Sequence, residues 1–197
     1  MKKTGYLLSI LSLSLLLTAG CSRKSGPSVT LAGSTAFQPF AEKLAEKYME
    51  THKGIRINVQ GGGSAVGIQS ALAGNAQIGM ADLPELPAEA KELTSIVVAR
   101  DGIAVVVNPV NPIFSLSSEQ VKGVFTGKIT NWKAIGGMDA ALRVISREDG
   151  SGTRRSFDAL ALNNEKISPA ALFQNSNGTI REAVANDPNA VGYLSIG

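Results

Sequence analysis

One short stretch, Arg147-Glu148-Asp149-Gly150-Ser151-Gly152-Thr153, gathers a permanent cation, hydroxyls and glycines between an alternating apolar run, Leu142 to Ile145, and a helix-like run, Phe157 to Leu162. It is expected where a strand ends and a helix begins. Such a junction attracts anions: the first N–H groups of a helix lack partners, the helix dipole places partial positive charge there, and glycine lets an oxyanion approach the backbone. Ser151 and Thr153 add hydroxyl donors, and the planar guanidinium of Arg147 can grip two oxygens at once. Taken singly, such a string is more often a capped turn with a surface ion pair. Its weight comes from other groups of the same kind.

Those groups sit at the ends of other elements. Val29-Thr30-Leu31 reads as a strand running into Ala32-Gly33-Ser34-Thr35, after which Phe37, Phe40, Ala41, Leu44, Ala45 and Tyr48 recur at helical spacing. Ile55, Ile57 and Val59 alternate as a second strand, Gly61-Gly62-Gly63-Ser64 turns, and a helix through Val66, Ile68, Ala71 and Leu72 ends at Gly74. Ile78 to Ala81 is a third strand ending at Asp82; a helix over Ala88 to Leu93 and apolar β-rich runs at Ser95 to Ala99 and Ile103 to Val107 follow. Pro109 and Pro112 break the pattern and mark a lobe boundary or hinge. Beyond them come a helix from Ser118, a loop in which Trp132 is expected to pack, the arginine stretch, a turn at Asn175-Ser176-Asn177-Gly178, a helix over Thr179 to Ala185 and a strand over Ala190 to Ser195.

Strands alternating with helices predict an α/β chain with mostly parallel sheets and ligands beyond the carboxyl ends of the strands. Ser34-Thr35, Ser64, Asp82 and Arg147 to Thr153 all fall at such ends. Together they would surround one cleft with hydroxyls, helix N-termini, a guanidinium and one carboxylate, a setting for a compact oxyanion. The carboxylate decides which one. Asp82 would repel a fully ionised tetrahedral anion such as sulfate, whereas a protonated phosphate can donate its own proton to it. A buried partner left unsatisfied by the wrong anion makes that discrimination large.

With 197 residues, 44% apolar and 18% charged, the chain suits one or two compact lobes and excludes a disordered or coiled-coil reading. Lys2 and Lys3, the apolar run from Tyr6 to Leu17 and Thr18-Ala19-Gly20-Cys21 read as an export signal over residues 1–20, too short and serine-rich for a membrane span. The formal charge of +3, less Lys2 and Lys3, is +1. With no basic run carrying interleaved aromatics, nucleic acid is not an expected partner. Cys21 is the only cysteine, so no internal disulfide can form, and one cysteine with one histidine, His52, leaves no plausible transition-metal site.

Ala32-Gly33-Ser34-Thr35, Gly61 to Gly67, Ile78 to Asp82, Thr126 to Trp132, Arg147 to Thr153 and Val191-Gly192-Tyr193 occur in the order found in the phosphate-binding proteins of Pst-type ABC importers, which the chain resembles from about Ser28 onward. The resemblance implies a two-lobed periplasmic-binding-protein fold (type II, Venus-flytrap) with hinge crossovers, closing over inorganic phosphate for an ABC permease, with neither catalytic residues nor a cofactor. It implies anion contacts from Thr35, Ala36 (through its backbone N–H), Ser64, Asp82, Arg147, Ser151, Gly152 and Thr153, with Asp149 holding Arg147 in place. Cys21 resembles a lipobox cysteine, although Thr18 replaces the common leucine; this implies an exported, membrane-anchored lipoprotein with a tether over residues 21–28. The expected division is one lobe over residues 29–107 and a second over 108–197, in a monomer whose C-terminal return to the first lobe is missing, because relatives continue beyond the Gly-Tyr strand.

Two other readings remain open. A receptor for a different oxyanion, sulfate or molybdate among them, would share everything except the use made of Asp82. An enzyme acting on a phosphate ester would need machinery that is hard to find: there is no phosphate-binding Gly-x-x-x-x-Gly-Lys loop, Gly62 to Val66 misses the Gly-x-Ser-x-Gly elbow at its last position, and His52 lies at a polar helix end.

Overall fold

The computed structural model describes residues 26–196. The export signal and Cys21 lie outside the described residues. Two sheets organise the chain. β1 (Ser28–Gly33), β2 (Arg56–Gln60) and β3 (Ile78–Met80) form a parallel sheet in the order β2-β1-β3. β4 (Ile103–Val107), β5 (Arg143–Arg147), β6 (Leu172–Gln174) and β7 (Ala190–Ser195) form a second in the order β4-β7-β5-β6, where only β4 runs antiparallel to its neighbour.

The helices are α1 (Gln38–Thr51), α2 (Ser64–Leu72), α3 (Ser118–Phe125), α4 (Gly152–Ala161) and α5 (Asn177–Ala185). α2 lies on β1 and β3 at close range: a Cβ on Gly67 would stand 2.7 Å from the Ala32 carbonyl oxygen, so glycine is what permits this packing. Around the second sheet, neighbouring β5 residues face opposite ways, as strand geometry requires. Val144 enters the larger core with Phe125, Trp132, Phe157 and Tyr193; Ile145 packs on the other face with Ile180 and Val184 of α5. The second sheet is thus covered on both sides. Trp132 is fully buried, its indole N–H donating to the Asn189 carbonyl at 3.0 Å, in keeping with its expected packing role.

Four expectations change. β4 belongs to the second sheet, through its five-residue register with β7, so the passage between sheets lies within residues 81–102 rather than at the prolines. The Asn108 amide donates to the Val184 and Ala185 carbonyls, tying the proline segment to the end of α5. Residues 88–92 form a 3-10 turn instead of a helix. Among the described residues the run Ser95 to Ala99 pairs with no strand, and Ile96, Val97 and Val98 are 78%, 83% and 69% exposed. Finally, the short strand β6 was not anticipated. Among the described residues no helix is long and apolar enough to cross a membrane.

Candidate functional site

Every candidate group arrives from the end of a strand. After β3 the chain places Asp82, whose backbone N–H donates to Ser64 Oγ at 3.1 Å while Ser64 Oγ–H donates to the Asp82 carboxylate. Ser64 opens α2 and is buried. From the second sheet, Thr153 in the first turn of α4 donates to the other carboxylate oxygen of Asp82 at 2.6 Å. Two more links join the same segments: the Ala65 N–H donates to the Gly150 carbonyl at 3.1 Å, and Ser156 Oγ–H to the Asp82 carbonyl at 3.4 Å. The N-termini of α2 and α4 therefore meet around one carboxylate. Gly152 is the residue that allows the approach, since a Cβ there would collide with the Asp82 carboxylate and Ser64 Oγ.

Ser151 caps α4, its Oγ accepting from the Arg154 N–H at 3.2 Å. Thr35 lies beyond β1 with its Oγ1 buried and without a hydrogen-bond partner among the described residues, on a cleft of about 430 Å³ shared with Gly62, Glu148, Asn175 and Ser176. A buried hydroxyl without a partner is uncommon in a folded protein and gives a ligand something to satisfy. Ala36 differs from expectation: its N–H donates to Ser34 Oγ at 3.2 Å, as does that of Phe37 at 3.1 Å, so the Ser34 hydroxyl, fully buried, uses the donor assigned to the anion.

Arg147 ends β5 and is 2% exposed. Burial draws its pKa below the ordinary arginine value, and the nearby charge of Asp82 opposes that shift; the guanidinium stays protonated under any ordinary condition. It forms no ion pair among the described residues. Asp149, expected to hold it, instead pairs with Arg154 at 2.7 Å with its side chain almost wholly exposed. The reason is geometric: after β5 the chain turns so that Asp149 points outward over α4. Arg147 is gripped by the turn between β6 and α5: Nε donates to the Gln174 carbonyl at 3.2 Å, Nη2 to the Asn175 carbonyl at 3.1 Å, and Nη1 to Asn177 Oδ1 at 3.2 Å. Asn175 and Asn177 were expected only as part of a turn, and Gln174 had no expected place; no local signal connects them with an arginine so far upstream. Tyr193 also supports this place, its hydroxyl bonding Ser146 Oγ at 3.0 Å and accepting from the Arg147 N–H at 3.3 Å. Among the described residues no cluster of His, Cys, Asp and Glu could hold a metal ion. His52 lies at the exposed end of α1, stacked on Tyr48.

Buried cation, hydroxyls, two helix N-termini and a carboxylate can bind a small oxyanion that brings its own proton. The sequence model of the PBP superfamily domain matches residues 21–197. The phosphate-binding protein PstS of Bacillus subtilis is 38% identical over 176 residues, covering 87% of this chain and 58% of that protein, so the chain spans less than two thirds of it. PstS of Borreliella burgdorferi is 30% identical over 209 residues, covering 100% of this chain and 73% of that protein. Among solved structures, a Clostridium perfringens chain assigned as a phosphate ABC transporter substrate-binding protein, with bound phosphate, superposes with a TM-score of 0.81 at 38% identity, covering 86% of this chain and 70% of that one. An ABC-type phosphate transport receptor from Vibrio cholerae gives 0.66 at 39% identity, covering 86% and 71%.

Proposed function

This chain belongs to the PBP superfamily, and from that premise we propose that it binds inorganic phosphate between its two sheets and delivers it to an ABC permease. The observation that carries the reading is Asp82 held between Ser64 of α2 and Thr153 of α4. Each of those hydroxyls owns a single proton and gives it to the carboxylate, so an incoming anion must replace what it takes. A monoprotonated or diprotonated phosphate can: it donates its own proton to Asp82, whose oxygens have lone pairs to spare, and frees the hydroxyls to turn toward the ligand. Sulfate has no proton to offer, so one partner stays unsatisfied. Thr35, Arg147, Ser151 and Gly152 complete the proposed contacts, with Arg147 supplying charge-assisted hydrogen bonds.

Export fits the sequence signal, and lipidation of Cys21 would anchor the protein to a membrane, where ligand-driven closure of the lobes presents one shape to the permease. The similar solved chains from Clostridium perfringens and Vibrio cholerae are binding components of phosphate transport, and the hydroxyl-rich site favours binding over turnover. Calorimetric titration of the full chain with phosphate and then sulfate tests the reading. Saturable phosphate binding with no measurable sulfate binding is expected; equal affinity for both would replace it with a general oxyanion receptor.

A further inference from the structure

Arg147 has five N–H donors, and three of them are committed to the β6–α5 turn: Nε to the Gln174 carbonyl, Nη2 to the Asn175 carbonyl and Nη1 to Asn177 Oδ1. One N–H remains on each terminal nitrogen. We infer that Asn177 is a positioning residue of the anion site, which orients the Arg147 guanidinium through a neutral acceptor and so adds no negative charge beside the cation that meets the ligand. Two features carry this. All three acceptors are uncharged, and among the described residues no carboxylate forms an ion pair with the guanidinium: Asp149 pairs with Arg154, Asp82 accepts from Ser64 and Thr153, and Asp82 and Glu148 act on it only as nearby charges. Of the three acceptors, only Asn177 contributes a side chain, so it alone sets whether the clamp is neutral or anionic.

The neutral clamp has a physical consequence. A carboxylate against the guanidinium would make a stronger hydrogen bond and fix the side chain as firmly. It would also place a negative charge beside the cation that must attract the anion, in a buried setting where charges interact strongly. Orientation and attraction are thus separable at this residue: alanine removes the first, aspartate the second. Aspartate is otherwise well suited to the position, since Asn177 is the first residue of α5 and an acid there favours the helix dipole.

The inference rests on the phosphate-binding reading, and its test keeps the two apart. The full chain and its N177A and N177D variants are titrated with inorganic phosphate, and each is melted without ligand. Wild type is expected to bind; N177A loses about tenfold in affinity, the size of one lost hydrogen bond. N177D loses roughly a hundredfold, the size of a partly screened charge, while melting at or above the wild-type temperature. Affinity and stability then move in opposite directions, which a purely structural residue cannot produce. Wild-type affinity in N177D, or loss of affinity only in proportion to loss of stability, overturns the inference with the phosphate reading intact. Absence of phosphate binding by wild type overturns both.

Discussion

Thr153 Oγ1–H donates to Asp82 Oδ2 over 2.6 Å, and the two residues belong to segments that leave different sheets, Asp82 after β3 and Thr153 after β5. Thr153 is 2% exposed, so the bond is made away from water, where an unmade partner costs about 1–3 kcal/mol. The hydroxyl both joins the sheets and stands ready for the anion. Thr153→Val keeps the shape and deletes the donor. Phosphate affinity is expected to fall about 10- to 100-fold with an unchanged far-ultraviolet spectrum; an unaltered titration curve would remove Thr153 from the site.

Asp82 sets the choice of anion if its carboxylate needs a ligand proton. Asp82→Asn makes the group a donor as well as an acceptor and removes the repulsion of a fully ionised anion. Phosphate affinity should drop by roughly tenfold, about 1.4 kcal/mol, and sulfate binding should become measurable. Competition titrations read both. Retained rejection of sulfate would mean that cleft shape, not Asp82, does the selecting.

Much of this site was legible because strands and turns announce themselves locally. Period-two runs found β1, β2, β5 and β7 within a residue or two, and groups expected at strand ends lie together: the hydroxyls of Ser64 and Thr153 both donate to the Asp82 carboxylate. What failed depended on partners distant in sequence. Ser95 to Ala99 has the composition of a strand, but a strand also needs a neighbour to pair with, and the run stands exposed. β6 has only three residues, too few for a period, and exists because Ile145 to Arg147 offer it a ladder. The family resemblance implied that Asp149 holds Arg147; the turn after β5 gives Asp149 to Arg154, and Arg147 goes to Asn177.

The aromatic stack behind Arg147 is expected to govern stability more than chemistry. Tyr193 lies flat on Phe157, ring centroids 4.0 Å apart and 7° from parallel, with Phe125 edge-on to both. Its hydroxyl, whose pKa burial pushes up against the opposing bonds to Ser146 and the Arg147 N–H, satisfies two buried groups. Tyr193→Phe should cost about 1–3 kcal/mol by leaving them unpaired, and Phe157→Ala roughly 3–5 kcal/mol by opening a cavity. Denaturant melts without ligand measure both; an order in which Tyr193→Phe costs more would show that the hydroxyl network, not ring packing, holds this core.

Glu165 makes the acid limb of stability testable. Hydrogen bonds from Lys122 and Lys128, with ion-pair distances of 2.6 and 2.8 Å, hold its pKa down at about 2 against an ordinary 4.5. A carboxylate depressed in the folded state binds its proton more readily when unfolded, so stability rises with pH across the interval between the two values. The contribution is complete above pH 4.5 and fades as the pH falls toward 2. Because the group is open to solvent and screened by salt, the effect should be small and should shrink at high ionic strength. Glu165→Gln deletes the titration: stability curves of variant and wild type should differ by a constant above pH 4.5 and converge below it. Curves that stay parallel down to pH 2 would show that the two lysines do not hold Glu165 in solution.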